Sequence, residues 1–125
     1  MNEILVVDDM AIVREPLAAT LRHAGFNVAC ACDGDTALAA VKKRRPDLIL
    51  LDITMPGMDG LGFLGSLRRD CPAGKDIKVM VLSASSDKVH IVRAAQLGIH
   101  DYLLKSQFSL PDLLNHSSLY WLWSF

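Results

Sequence analysis

Leu48-Ile49-Leu50-Leu51, followed at once by Asp52, is the stretch that decides how this chain folds. A strand with one face in water alternates apolar and polar residues, whereas this run is apolar at every position. Such a strand is covered on both faces, as in a parallel sheet flanked by helices. Val79-Met80-Val81-Leu82 repeats the pattern downstream, and Ile4-Leu5-Val6-Val7 is a near-continuous run of the same kind upstream.

Helical patterns separate these runs. From Ala11 to Ala24, Ile12, Leu17, Leu21 and Ala24 keep helical spacing up to Gly25, with Pro16 placed early, where a missing N–H costs least. Phe26 to Cys32 reads as a second strand. Asp33-Gly34-Asp35 opens a second helix, which carries Ala37, Leu38 and Val41 on one face and ends over Lys42–Arg45 before Pro46. A turn at Pro56-Gly57 precedes a third helix marked by Leu61, Leu64 and Leu67. Ser86 to Leu97 forms a fourth helix ended by Gly98, Tyr102-Leu103-Leu104 is a short fifth strand, and Pro111 starts a fifth helix. Five strands separated by helices predict an α/β domain with a parallel sheet and helices on both sides.

Length and composition agree with a single domain: 125 residues, 51% of them hydrophobic. The net charge of -1, from 13 basic and 14 acidic residues, argues against broad electrostatic binding to nucleic acid or anionic lipid. The start has no signal-peptide pattern and no apolar run reaches spanning length, so a cytoplasmic protein is expected. Cys30 and Cys32 lie two apart in the expected second strand, pointing to one face. With Cys71 they read as reduced core or near-surface residues. His23, His90, His100 and His116 form no metal-binding pattern.

The polar residues that follow the strands carry the chemistry. Strand one runs into Asp8-Asp9, strand three into Asp52, strand four into Ser83 and strand five into Lys105. In a parallel sheet these positions converge on the carboxyl edge, where open α/β sheets bind ligands. Three carboxylates gathered there need protons or a cation. Lys105 offsets one charge, and a divalent ion suits the rest. Magnesium takes one or two carboxylates plus water and phosphate oxygens, a number that Asp9 and Asp52 supply, with Asp8 acting through water or holding the shell. An oxygen nucleophile, a metal and a fixed ammonium are the parts phosphoryl transfer requires. Ser83 adds a hydroxyl that donates to a phosphate oxygen. Plainer roles stay open for each residue alone: Asp8 or Asp9 as a helix cap, Lys105 as a neutralising partner, Ser83 as a turn residue.

Four segments in order resemble the receiver domains of two-component response regulators: Ile4-Leu5-Val6-Val7-Asp8-Asp9, Leu50-Leu51-Asp52-Ile53-Thr54-Met55-Pro56-Gly57-Met58-Asp59-Gly60, Val81-Leu82-Ser83-Ala84 and Asp101-Tyr102-Leu103-Leu104-Lys105. The similarity runs from about residue 3 to about 114. It implies a flavodoxin-like, doubly wound five-stranded sheet of order 2-1-3-4-5. It further implies that Asp52 is the phosphoacceptor and that magnesium is held by Asp9, Asp52 and the Thr54 carbonyl, with Asp8 beside them. Ser83 is then the switch hydroxyl, Ala84 lies with it at the phosphate, Lys105 bonds the phosphoryl group, and Tyr102 moves inward with Ser83. A sensor histidine kinase or histidine phosphotransfer protein is the implied donor. The surface of helix four, strand five and helix five is the implied output, a homodimer through it being one reading. No nucleic acid or membrane contact is implied for the domain itself. Nor is turnover, beyond the domain's own phosphotransfer and slow loss of the group.

Ser106 follows Lys105 where the family often has a cis proline. A non-proline cis bond costs about 2.5–4 kcal/mol, so a trans loop is expected, with a weak hint of the regulators whose output is LuxR-type DNA binding. Thr54 and Ser85, where the family tunes dephosphorylation, supply no strong acid or base. Residues 1–118 are assigned to the receiver and 119–125 to a tail, apolar except for Ser124, that is either an interface or a truncated or non-native end. An aspartate-nucleophile hydrolase is disfavoured because Thr54 stands where its general acid/base belongs. A module that no longer accepts phosphate is disfavoured because every acidic, hydroxyl and amine position is present. A flavin-binding protein is disfavoured because two aspartates follow strand one instead of a phosphate-cradling loop.

Overall fold

A computed structural model describes residues 3–55, 58–83 and 87–104. Five parallel strands form the sheet: β1 (Glu3–Val7), β2 (Asn27–Ala31), β3 (Leu48–Leu51), β4 (Lys78–Ser83) and β5 (Asp101–Leu104), in the order β2-β1-β3-β4-β5. The expected topology is therefore observed. Four helices connect them: α1 (Ala11–His23), α2 (Gly34–Lys43), α3 (Gly60–Arg69) and α4 (Lys88–Gln96). The expected fifth helix and the 119–125 tail lie outside the described residues. No helix among the described residues is long and apolar enough to cross a membrane.

The unbroken apolar strands are explained by two cores, one on each face. Leu5, Val7, Ile49, Leu51, Val79 and Val81 face one way, packing with Ala37 and Val41 of α2, Phe63, Leu64 and Leu67 of α3 and Ala94 of α4. The alternate residues Ile4, Val6, Leu48, Leu50, Met80, Leu82 and Leu103 face the other, against Leu17 and Leu21 of α1 and Phe26. All four residues of β3 are buried to 1% exposure or less. Each such side chain contributes about 1.5–3 kcal/mol by leaving water, so neither face tolerates a polar residue.

Local chemistry sets the element ends. Gly25 (φ +104°) and Gly98 (φ +76°) take the left-handed conformation that follows α1 and α4, where a side chain would be strained. Asp33 caps α2, accepting from Thr36 N at 2.7 Å and from Thr36 Oγ1 at 2.6 Å. Asp87 caps α4 by accepting from Val89 N at 2.9 Å, so that helix starts later than the expected Ser86. α1 begins at Ala11 as expected, which puts Pro16 inside the helix and past its first turn. The Ile12 carbonyl thereby loses its usual donor, at a residue that is 78% exposed. β2 ends at Ala31 as the chain turns toward the Asp33 cap, so Cys30 and Cys32 do not share a strand face. Cys30 is half-buried and Cys32 exposed, while Cys71 is buried. Burial pushes the Cys30 thiol pKa up, against the opposing pull of Arg22.

Two polar devices hold the layers in register. At the amino edge, Glu3 and Asp47 exchange backbone and side-chain bonds (Asp47 N to Glu3 O, 2.8 Å; Glu3 N to Asp47 Oδ2, 2.8 Å) and Arg44 pairs with Glu3 at 2.6 Å. Arg68, at the end of α3, donates to five carbonyls at 2.7–3.0 Å: Gly74, Lys75 and Ile77 before β4, and Leu97 and Gly98 after α4. Burial lowers its pKa while the charge of Asp76 opposes that, and a guanidinium stays protonated regardless.

Two stability outcomes follow. Arg68→Ala should cost about 2–3 kcal/mol in urea denaturation, the range for hydrogen bonds made by a charged group. Arg68→Lys should recover only part, because an ammonium cannot span five acceptors on two segments; full recovery would show that charge alone matters. Asp33 is held below the usual carboxylate range, chiefly by the Thr36 hydroxyl and then by the Thr36 amide. A depressed folded-state pKa gives stability that is present above the unfolded value and lost as pH falls through the folded one. Asp33→Ala should therefore lower the melting temperature at neutral pH, and the deficit should vanish in strong acid.

Candidate functional site

The carboxyl edge is built by backbone bonds that continue the ladder past the strand ends. Val7 is the register partner of both Ala31 and Leu51. Asp8 N then donates to Ala31 O at 3.1 Å, and Asp52 N donates to Val7 O at 3.0 Å. Asp8 and Asp52 thus leave adjacent strands one residue past paired positions, at a spacing of about 4.8 Å between strands. Both are buried, at 4% and 7% exposure. Asp9 is half-buried, with its Oδ1 atom closed off from solvent.

At the start of α1 the acids lie just before the N-cap residue. The N-cap of α1 is Met10, whose own side chain makes no cap hydrogen bond. Asp8 Oδ1 instead accepts from Met10 N at 3.0 Å, a local turn that fixes its carboxylate. Arg14 reaches back from α1 and donates from Nη1 to Asp8 O at 2.8 Å, while also lying 3.4 Å from Glu15. Sequence reasoning missed this cation, since nothing in a helical arginine beside a glutamate shows that it folds back on the preceding loop.

Ser83 closes β4, is fully buried, and pairs in register with Leu104 of β5. The Leu51–Val81 pairing sets Asp52 level with Leu82, so Ser83 stands one residue further along the same edge. Tyr102 pairs with Val81 and packs on the core beneath α2, α3 and α4. By strand alternation Ser83, Val81 and Tyr102 belong to that same face. Thr54 lies in a two-residue antiparallel ladder, Thr54–Met55 with Met58–Asp59, where the sequence pointed only to a turn. Ala84 and Lys105 lie outside the described residues.

Five of the expected positions, Asp8, Asp9, Asp52, Thr54 and Ser83, therefore come to one edge, with Tyr102 on the neighbouring strand. Among the described residues no set of three His, Cys, Asp or Glu side chains is arranged to enclose a metal. Donors of this kind, buried carboxylates with a backbone carbonyl nearby, fit magnesium and not zinc, because magnesium keeps several water ligands. An ion here would take much of its shell from water and phosphate oxygens.

Comparison with known proteins bears on the same edge. The family model described as the response regulator receiver domain matches residues 4–117. The DNA-binding response regulator MtrA of Mycolicibacterium paratuberculosis is 42% identical over 104 residues, covering 83% of this chain and 44% of that protein. The probable transcriptional regulator ycf27 of Porphyridium aerugineum is 37% identical over 112 residues, covering 90% and 45%. The chain thus spans less than half the length of these curated relatives. Among solved structures, the chemotaxis protein CheY4 of Vibrio cholerae superposes with a TM-score of 0.84 at 31% identity, covering 92% of this chain and 94% of that one. The receiver domain of NtrX from Brucella abortus gives 0.78 at 33% identity, covering 90% and 92%. With a parallel sheet of order 2-1-3-4-5, acids at its carboxyl edge and a family match over nearly its whole length, this chain belongs to the response-regulator receiver family of two-component systems, whose members are regulatory domains.

Proposed function

We propose that this receiver is switched by phosphorylation of Asp52, with the phosphoryl group coming from the histidine of a sensor kinase or phosphotransfer protein. The supporting observation is the pinned pair Asp8 and Asp52, buried side by side at the carboxyl edge with Ser83 one residue beyond. A carboxylate oxygen of Asp52 attacks phosphorus, forming an O–P bond as the donor's N–P bond breaks. The departing histidine nitrogen keeps the electron pair, and Asp52 becomes an acyl phosphate.

Asp9, Asp52 and the Thr54 carbonyl would hold magnesium, with Asp8 orienting the shell. The bound ion supplies charge neutralisation on the transferring group. Asp8 keeps its carboxylate oriented through Met10 N, and Arg14 anchors the loop that carries it. Ser83 and the Lys105 ammonium would donate to the phosphoryl oxygens, with Ala84 beside them. Neither Thr54 nor Ser85 activates water strongly, so hydrolysis is left to the site's own slow rate.

The new charge acts by biasing a two-state packing. Ser83 would turn toward it and Tyr102 would follow, changing the surface of α4, β5 and the helix expected after it. Val89 and Val92 of α4 are 63% and 54% exposed, apolar area suited to a protein partner or a second copy. The receiver is proposed to signal through such contacts in the cytoplasm, without touching nucleic acid itself. DNA binding is a property named for the MtrA proteins.

Incubation with acetyl phosphate and magnesium should add one phosphoryl group per chain, read by intact mass. Asp52→Asn should abolish it, and Asp8→Asn should weaken magnesium binding about 10–100-fold. Unchanged labelling of Asp52→Asn would remove the assignment. Beryllofluoride with magnesium should shift the sizing profile toward a dimer if the α4 surface pairs two copies; an unchanged monomer peak would point to a different partner.

A further inference from the structure

Gly60, the first residue of α3, is buried against the peptide that follows the phosphoacceptor. A Cβ built there would stand 2.5 Å from Ile53 Cα, 2.7 Å from Asp52 O and 3.2 Å from Ile53 Cβ. Real Cβ atoms do not approach backbone so closely, so one side would have to move.

Neither side is free to do so. Asp52 N is bonded to Val7 O at 3.0 Å, and Ile53 is buried in the core. On the other side, Phe63 and Leu64 hold the first turns of α3 in that same core, at 3% and 0% exposure. Between them the chain closes on itself, since Thr54 pairs with Asp59, the residue before Gly60. The short ladder between Thr54–Met55 and Met58–Asp59 is thus backed by a contact between glycine and peptide.

We propose that Gly60 is a positioning residue for the Asp52 site: its bare Cα lets α3 seat against the Asp52–Ile53 peptide and so sets the direction in which the Asp52 carboxylate and Thr54 carbonyl project. This rests on the phosphoacceptor reading above. The same helix provides a control. A Cβ at Gly65 meets only the Arg69 Nη1 atom, at 3.9 Å, the far end of a flexible side chain.

The test compares wild type, Gly60→Ala and Gly65→Ala by magnesium titration calorimetry, rate of labelling by acetyl phosphate, and thermal melting. Gly65→Ala should match wild type in affinity and rate and melt no lower. Gly60→Ala, assayed well below its melting temperature, should bind magnesium more weakly and label roughly 10–100-fold more slowly, the penalty for misplacing a reacting group by about an ångström. A folded Gly60→Ala with wild-type affinity and rate overturns the inference, however much its melting temperature falls. Should Gly60→Ala fail to fold, hydrogen exchange on the wild type decides. Magnesium with beryllofluoride should slow exchange at the Ile53 and Gly60 amides together, and protection of Ile53 alone overturns the inference. A wild-type chain that neither binds magnesium nor takes label removes the phosphoacceptor reading first, and the role of Gly60 with it.

Discussion

The pairing of β1 with β3 is the constraint on which the rest of the molecule depends. Val7 lies opposite Leu51, and the ladder runs one bond further, from Asp52 N to Val7 O. That bond holds an acidic residue at the mouth of a dry sheet. The cost of placing a carboxylate there is met by the burial behind it. The side chains of Leu48 to Leu51 are removed from water on two faces at once, so the strand can neither slip nor reverse. A one-residue slip would exchange the two cores and carry Asp52 away from Asp8.

Rigidity at the carboxyl edge has a counterpart elsewhere. The amino edge is closed by Glu3, Asp47 and Arg44, where opposite charges meet. At the carboxyl edge Asp8 and Asp52 leave neighbouring strands, and Arg14 bonds a backbone carbonyl there instead of a carboxylate. Arg68 ties the end of α4 to α3 through the Leu97 and Gly98 carbonyls.

Much of this was legible in the residues. Unbroken apolar runs announced a doubly covered sheet, and each buried strand was found where its run lies. The acids were legible because each follows its run directly. What failed was local. The first helix begins at Ala11 as expected, but that start puts Pro16 past the first turn, where its missing N–H does leave a carbonyl without a donor. The Cys30 and Cys32 pairing failed because the Asp33 cap ends the strand sooner than its composition suggests. The ladder between Thr54–Met55 and Met58–Asp59 was invisible, since two-residue arms carry no periodicity.

The sequence by itself determined the class of fold, the order of its elements and the identities of the acids at the strand ends, because burial on two faces and alternation of element type are one-dimensional patterns. Only the tertiary structure decided how the edge is held. That Arg14 folds back on the Asp8 carbonyl, that Arg68 gathers five carbonyls and that Gly60 rests on the Asp52–Ile53 peptide are contacts that sequence patterns do not mark. Their geometry depends on how helices seat on the sheet, and no spacing along the chain encodes a fit of a few tenths of an ångström.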